Sequence, residues 1–527
     1  FLEDEDTRWD MFYRERKEAD LRLSLTRKPP QGKCLERKRK NMAFTTVFFL
    51  FAVLPASVAG YYFIKLVGNR NEKWGDRIGN LFLVLVSLCF YGWARLEGIA
   101  LLSIYVLGVW LAGKGICRLG KEEKHKWKVY GMTLSILAVT GILIWYKYYN
   151  FIAENLNHFF GISLAMSRWI VPLGISFITF TAISYLVDVF RGDAEAGSLL
   201  DVFLYLSFFP KVISGPIVQW KDFQKQTVHR QADENAFLDG LNRIMIGFAK
   251  KVILADSFGA VISRIDPYVG VGIDVPTAWL FAFFYMMQIY YDFSGYSDIA
   301  IGLARLFGFH FKENFQFPYR SKSITEFWRR WHISLGTWFR SYIYIPLGGN
   351  RKGMKRNLWN LFCVFLLTGV WHGASWNYLF WGVINGICVL AERCAREKSF
   401  YQKIPDIVKW AATMAIVFFS WQVFYFSDFN RLEVFMKSLI GISAANAAGT
   451  VEYTYRHYLT AKLIGLSAIA VLGATTFCMP WAEKVKNYFD RTKTGLFIKE
   501  TGLILLMILS VIFLINSSYS PFLYFQY

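Results

Sequence analysis

Composition and the spacing of apolar runs predict an all-α fold: a polytopic transmembrane helical bundle of about 11 spanning helices, with re-entrant and interfacial helices between them. Of 527 residues, 54% are hydrophobic and 18% aromatic, with 49 Phe, 29 Tyr and 19 Trp. That many rings suits interfacial belts and the walls of an internal cavity. The net charge is +20, yet Lys and Arg fall mainly in the short polar segments between apolar runs. This is the positive-inside patterning of a chain in a lipid bilayer, and it argues against a nucleic-acid partner.

The first 41 residues stand apart. Residues 1–41 are polar, acidic in the first ten positions and strongly basic from Arg22 to Lys40, with no apolar core of the kind a signal peptide needs. They read as a cytoplasmic arm or as an upstream extension, and Met42 as a natural start. Residues 42–527 form the membrane domain. Its apolar runs, judged by the roughly 20 residues that cross hydrocarbon, are 43–67, 78–94, 98–113, 128–149, 169–190, 237–262, 277–307, 358–391, 406–427, 459–480 and 498–516. The stretch Ser207 to Pro216 is too broken by Pro and Gly to span, and it carries Lys211. Such backbone survives at membrane depth only against protein or a wet cavity. No repeat of solenoid period and no pair of matching halves is present. The seven cysteines (Cys34, Cys89, Cys117, Cys363, Cys388, Cys394, Cys478) are odd in number and scattered, so they read as small core residues, neither a disulfide framework nor a metal site.

Two histidines in tryptophan-rich stretches carry the functional signal. His372, in Thr368-Gly369-Val370-Trp371-His372-Gly373, lies in a run from Leu358 to Leu390 free of Lys, Arg, Asp and Glu. An ionisable group there has no water to solvate it, which marks a functional site unless a neighbouring helix satisfies it. His332 ends Phe327-Trp328-Arg329-Arg330-Trp331-His332. Ser323-Ile324-Thr325-Glu326 has capping-box spacing, and Ile324, Phe327, Trp331, Leu335, Trp338 and Tyr342 repeat as one stripe, predicting a single amphipathic interfacial helix. On it His332 shares a face with Trp328, Leu335 and Phe339. Arg329 and Arg330 fall to the sides, for headgroup contact or for the phosphates of an acyl donor. Ile345 to Gly353 is a glycine turn with cations attached, a basic cytoplasmic turn or a phosphate cradle without P-loop spacing.

Taken together, Arg320 to Leu335, Ile345 to Gly353 and Leu367 to Trp376 strongly resemble the membrane-bound O-acyltransferase superfamily, and within it the alginate O-acetylation branch. The likeness extends to Tyr291 to Gly302, Phe208-Phe209-Pro210, Ser214 to Ile217 and the tail Pro521 to Tyr527. It implies a bundle around a central tunnel, with His372 and His332 as the catalytic histidines. It also implies a bacterial plasma-membrane location, no bound cofactor, acetyl-CoA or another acyl thioester as donor, and a polysaccharide acceptor. A separate extracytoplasmic serine-esterase-type acetyltransferase would be the partner. Phe424-Tyr425-Phe426-Ser427 departs from the pattern, since relatives often carry an arginine after the aromatic pair.

The chemistry is consistent with this. O-acylation needs a base for a hydroxyl proton and a stabilised oxyanion. His372 is assigned as general base, and His332 as the group that orients it or polarises the thioester. Trp328, Arg329, Arg330, Trp371, Ser375, Trp376 and Asn377 are the candidate substrate contacts, with Ser375 a weak nucleophile candidate and Asn377 a tunnel-lining one. Asp292 and Asp298 form a relay or pack a broken helix. The alternatives are D-alanyl transfer to teichoic acid from a carrier-protein thioester and, from another class, a secondary transporter.

Overall fold

The computed structural model describes residues 44–68, 72–121, 124–228, 230, 233–270, 272–442, 453–475 and 480–516. Residues 1–41, Met42 and the tail Pro521 to Tyr527 lie outside them. Among the described residues there are helices and no strand.

The first half runs through α1 (Leu54–Gly68), α2 (Glu72–Ala94), α3 (Leu96–Lys121), α4 (His125–Leu143), α5 (Tyr149–Phe160), α6 (Ile175–Arg191), α7 (Leu199–Ser207) and α8 (Trp220–Gln224). A π turn, Ile144–Tyr148, joins α4 to α5 without a break. Next come α9 (Glu234–Ala249), the π turn Lys250–Ala255, α10 (Asp256–Val269) and the 32-residue α11 (Val275–Leu306). Two short helices follow, α12 (Ile324–Arg330) and α13 (Ile333–Phe339), then α14 (Gly353–His372), α15 (Trp376–Ala395), α16 (Ser399–Lys403) and α17 (Asp406–Tyr425). The chain closes with α18 (Phe429–Leu439), α19 (Tyr455–Tyr458), α20 (Ala461–Thr475), α21 (Pro480–Arg491) and α22 (Lys493–Asn516).

Among the described residues, six helical stretches are long and apolar enough to cross a membrane: Phe49–Gly68, Leu96–Gly120, His125–Phe160, Trp376–Ala395, Asp406–Tyr425 and Lys493–Asn516. Other runs expected to span fall on helices that are short, such as the 15-residue α20, or that carry charge, such as α11. The run 358–391 is two helices, because the chain turns at Gly373–Ser375. Gly369 and Gly382 let them touch. A Cβ on Gly369 would run into the Tyr378 carbonyl oxygen and lie 3.1 Å from Gly382 Cα, so α14 and α15 pack backbone to backbone.

The long α11 is the axis. Its first half, with Phe281, Tyr285 and Phe293, belongs to one hydrophobic core, and its second half, with Tyr296, Ile299 and Leu303, belongs to another. The helix is continuous, not broken, and its two acids are paired. Asp292 meets Lys251 at 2.7 Å with both side chains buried, and Asp298 sits between Arg243 (2.7 Å) and Lys250 (2.6 Å). Lys251 has a second carboxylate, Asp256 at 2.6 Å, and Asp298 has two cations, so these mutually compensating charges hold α9 and its π turn against α11. In the stretch Ser207 to Pro216, Lys211 is buried with its ammonium 4.4 Å from the Tyr205 ring, a cation–π contact. Residues 345–352 form tight turns in which Gly348 and Gly349 take positive φ (106° and 55°), and Asn360 donates to the Gly349 carbonyl at 2.9 Å.

Candidate active site

The predicted single helix over 324–342 breaks at His332. Ser323 Oγ accepts from the Glu326 amide as the capping pattern requires, at 3.0 Å, but the Glu326 carboxylate accepts from the Lys322 amide (2.9 Å). The helix ends at Arg330, and His332 takes a left-handed conformation (φ 48°, ψ 53°) at the N-cap of α13. The cause is a competing partner. The segment around Asn314 takes the main chain out of the helix: the Ile333 amide donates to the Asn314 carbonyl at 2.9 Å, and the Gln316 amide donates to the Arg330 carbonyl at 3.0 Å.

Asn314 also sets the imidazole. Its Oδ1 accepts from the Ser334 amide (3.1 Å) and from the Ser334 hydroxyl (2.9 Å), which identifies that atom as an acceptor. His332 Nδ1, 3.2 Å away, must therefore be the N–H end, leaving Nε2 as a lone pair in the neutral ring. That Nε2 is buried and has no hydrogen-bond partner among the described residues. Nothing in the sequence around Asn314 marks it for this task.

His372, the last residue of α14, is buried among rings. Trp381 and Phe424 stand edge-on to it, each with its centroid 5.1 Å away. Trp371 bridges the two histidines, 4.8 Å from His372 and 6.1 Å from His332, and is stacked on Phe180. Phe293 stands edge-on to His332 with its centroid 4.6 Å away. Trp328 meets Trp381 at 5.5 Å. Each of Trp328, Trp371 and Trp381 has a buried indole N–H without a partner among the described residues. Two imidazoles and three indole N–H donors thus share one aromatic enclosure.

His372 also lines a cavity of about 480 Å³, with Lys147, Ser176, Trp371, Ser375 and Tyr378 in its wall. His332 does not. Ser375 sits in the turn between α14 and α15 and not on the helix of His372. Two expected contacts point elsewhere: Asn377 is buried and donates to the Phe424 carbonyl (3.1 Å), and Trp376 is exposed and donates to Asn155 (3.0 Å). Arg329 is exposed, whereas Arg330 is held by Glu326 (2.9 Å) and the Gln316 carbonyl (3.1 Å). Phe424, the first residue of Phe424-Tyr425-Phe426-Ser427, lies in the enclosure, and Tyr425 donates to Asp266 at 2.9 Å. Lys147 was not among the expected site residues, although a cation deep in an apolar run is the same signal that marks His372.

The fold is that of an all-helical membrane chain with two buried histidines, one of them in a cavity wall, and comparison gives the family. The model of the MBOAT, membrane-bound O-acyltransferase family matches residues 176–436. Probable alginate O-acetylase AlgI of Pseudomonas putida is 36% identical over 92% of this chain and 100% of that protein. The peptidoglycan O-acetyltransferase of Helicobacter pylori is 28% identical over 92% of this chain and 98% of its own. The teichoic acid D-alanyltransferase of Bacillus subtilis is 25% identical over 70% and 93%. The chain belongs to the membrane-bound O-acyltransferase family. It is a multi-pass membrane O-acyltransferase, which sets aside the transporter alternative.

Proposed function

We propose that this enzyme takes an acetyl group from a cytoplasmic thioester, acetyl-CoA, and passes it through the bundle for O-acetylation of an exported polysaccharide such as alginate. The observation that carries the reading is His372 in the cavity wall, backed by His332 in the same aromatic enclosure. His372 removes the proton of an attacking hydroxyl, whose oxygen adds to the thioester carbonyl. The tetrahedral oxyanion collapses, the C–S bond breaks, and the thiolate takes the proton as free thiol. Indole N–H groups of Trp328, Trp371 and Trp381, which have no hydrogen-bond partner among the described residues, supply donors for the oxyanion. A lone pair at His332 Nε2 can accept a hydrogen bond but cannot donate one to a carbonyl, so in this tautomer we assign His332 to orienting the base and not to polarising the thioester.

Transfer to the polymer uses a second protein, an extracytoplasmic serine-esterase-type acetyltransferase whose hydroxyl receives the acetyl group. No described connection between helices approaches the ~50 residues of a folded domain able to grip a large polymer. The reading is tested with purified chain in vesicles, labelled acetyl-CoA on the cytoplasmic face and alginate on the other. Label reaches alginate efficiently only when the partner is added. Efficient labelling with this chain alone removes the partner, and labelling only from a D-alanyl carrier-protein thioester replaces the donor and favours the teichoic acid alternative.

A further inference from the structure

Lys147 lies in the π turn Ile144–Tyr148, within the continuous helical stretch His125–Phe160. Its ammonium is half-buried in the cavity wall and has no carboxylate partner among the described residues. Instead it donates to the Trp371 carbonyl at 2.8 Å, the His372 carbonyl at 3.3 Å and Ser176 Oγ at 3.3 Å. The next residue does the same work, since the Tyr148 hydroxyl donates to the Val370 carbonyl at 2.7 Å. These three carbonyls are the last of α14. That helix ends abruptly, because Gly373 is extended (φ −170°, ψ 160°). Terminal carbonyls left without an intrahelical partner must find one elsewhere. Here all three find it on one foreign helix. Consecutive residues of a regular helix diverge by about 100°, and the wider π turn narrows that step so that positions 147 and 148 reach the same helix end.

With its three hydrogens already directed, the ammonium is not arranged to hold a substrate anion. Its charge faces the negative end of the α14 dipole, a favourable placement that also anchors the residue carrying the imidazole. We propose that Lys147 is a positioning residue for acyl transfer: by capping the end of α14 it fixes the main chain of Trp371 and His372, and with it the place of the imidazole in the cavity. This rests on the reading that His372 takes part in the transfer.

The test compares wild type, Lys147→Met and Lys147→Arg as full-length protein in nanodiscs. Two readouts are taken: backbone hydrogen exchange along α14, and kcat and KM for labelled acetyl-CoA with the partner transferase and alginate present. Misplacing a catalytic group by about 1 Å can cost 10²-fold in rate. Lys147→Met is therefore expected to lose about 100-fold in kcat with KM nearly unchanged. Exchange should quicken at residues 369–374 and stay as in wild type at 355–365. Arginine, which restores donors and charge, should recover part of both. Wild-type exchange at 369–374, or a loss carried by KM alone, overturns the proposal, as does full kcat in the methionine variant. If that variant fails to insert, Lys147→Gln is read by the same criteria. A wild-type enzyme that accepts no label from acetyl-CoA refutes the donor reading instead, and the exchange measurement still decides whether Lys147 holds the end of α14.

Discussion

His332 is held in a backbone conformation that costs a non-glycine residue about 1–2 kcal/mol. The hydrogen bonds to Asn314 and the packing around Phe293 and Trp371 offset it. Both His372→Ala and His332→Ala are expected to abolish polymer acetylation while leaving the protein in the membrane, with His372→Ala the more severe. His332→Asn refines the test, because asparagine tolerates the left-handed region: loss of activity in that variant reports the missing imidazole and not backbone strain. Wild-type acetylation by correctly inserted His372→Ala protein would sink the catalytic assignment. Asn314→Ala should also slow transfer. It frees His332 Nδ1 and the Ser334 amide together, and each orphaned buried group costs about 1–3 kcal/mol. The expected loss is tenfold or more, measured as initial rate with labelled acetyl-CoA at matched protein levels.

Among the helices, the α14–α15 pair is the most exacting contact near the site. Gly369 and Gly382 face each other there, and a Cβ on Gly382 would come within 2.6 Å of the Phe365 carbonyl. Gly369→Ala must push the helices apart or bend them. Overpacking of this kind costs about 1–3 kcal/mol, so the variant should melt earlier in detergent and lose acetylation because His372 moves with its helix. Gly108→Ala on α3, where a Cβ meets nothing within 4 Å, is the matched control and should melt no earlier than wild type. Equal melting temperatures for the two variants would remove the close-contact argument. The segment 324–342 shows why such detail escapes a periodicity reading: the apolar stripe from Ile324 to Tyr342 is regular, and nothing in its spacing announces that Asn314 will interrupt it.

For the protein in its membrane, sidedness decides which end receives the donor. The segment Lys312 to Arg356 carries ten Lys and Arg against two acids, the bias expected of a cytoplasmic segment. About 30 Å of helix, the 20 residues of α14, separates its basic start from His372. A cysteine at Lys352 in a background without other accessible cysteines should react with a membrane-impermeant maleimide only in inside-out vesicles. Labelling from the outside alone would invert the topology and the direction of transfer with it.

What could be read without coordinates was local or compositional. Helical class, membrane residence, the two histidine motifs, the basic glycine turn and the family all follow from hydropathy and short patterns, because burial in lipid demands apolar runs and the motifs are contiguous. Tertiary packing supplied everything that joins distant segments. Asp292 and Asp298 became ion-paired anchors only when α9 and its π turn met α11. The orientation of His332 depends on Asn314, 18 residues away, and the end of α14 is held by Lys147, 224 residues before the carbonyl of Trp371. A hydrogen bond leaves no periodicity in either strand of sequence that makes it. Such contacts become visible only when the fold brings their two ends within about 3 Å.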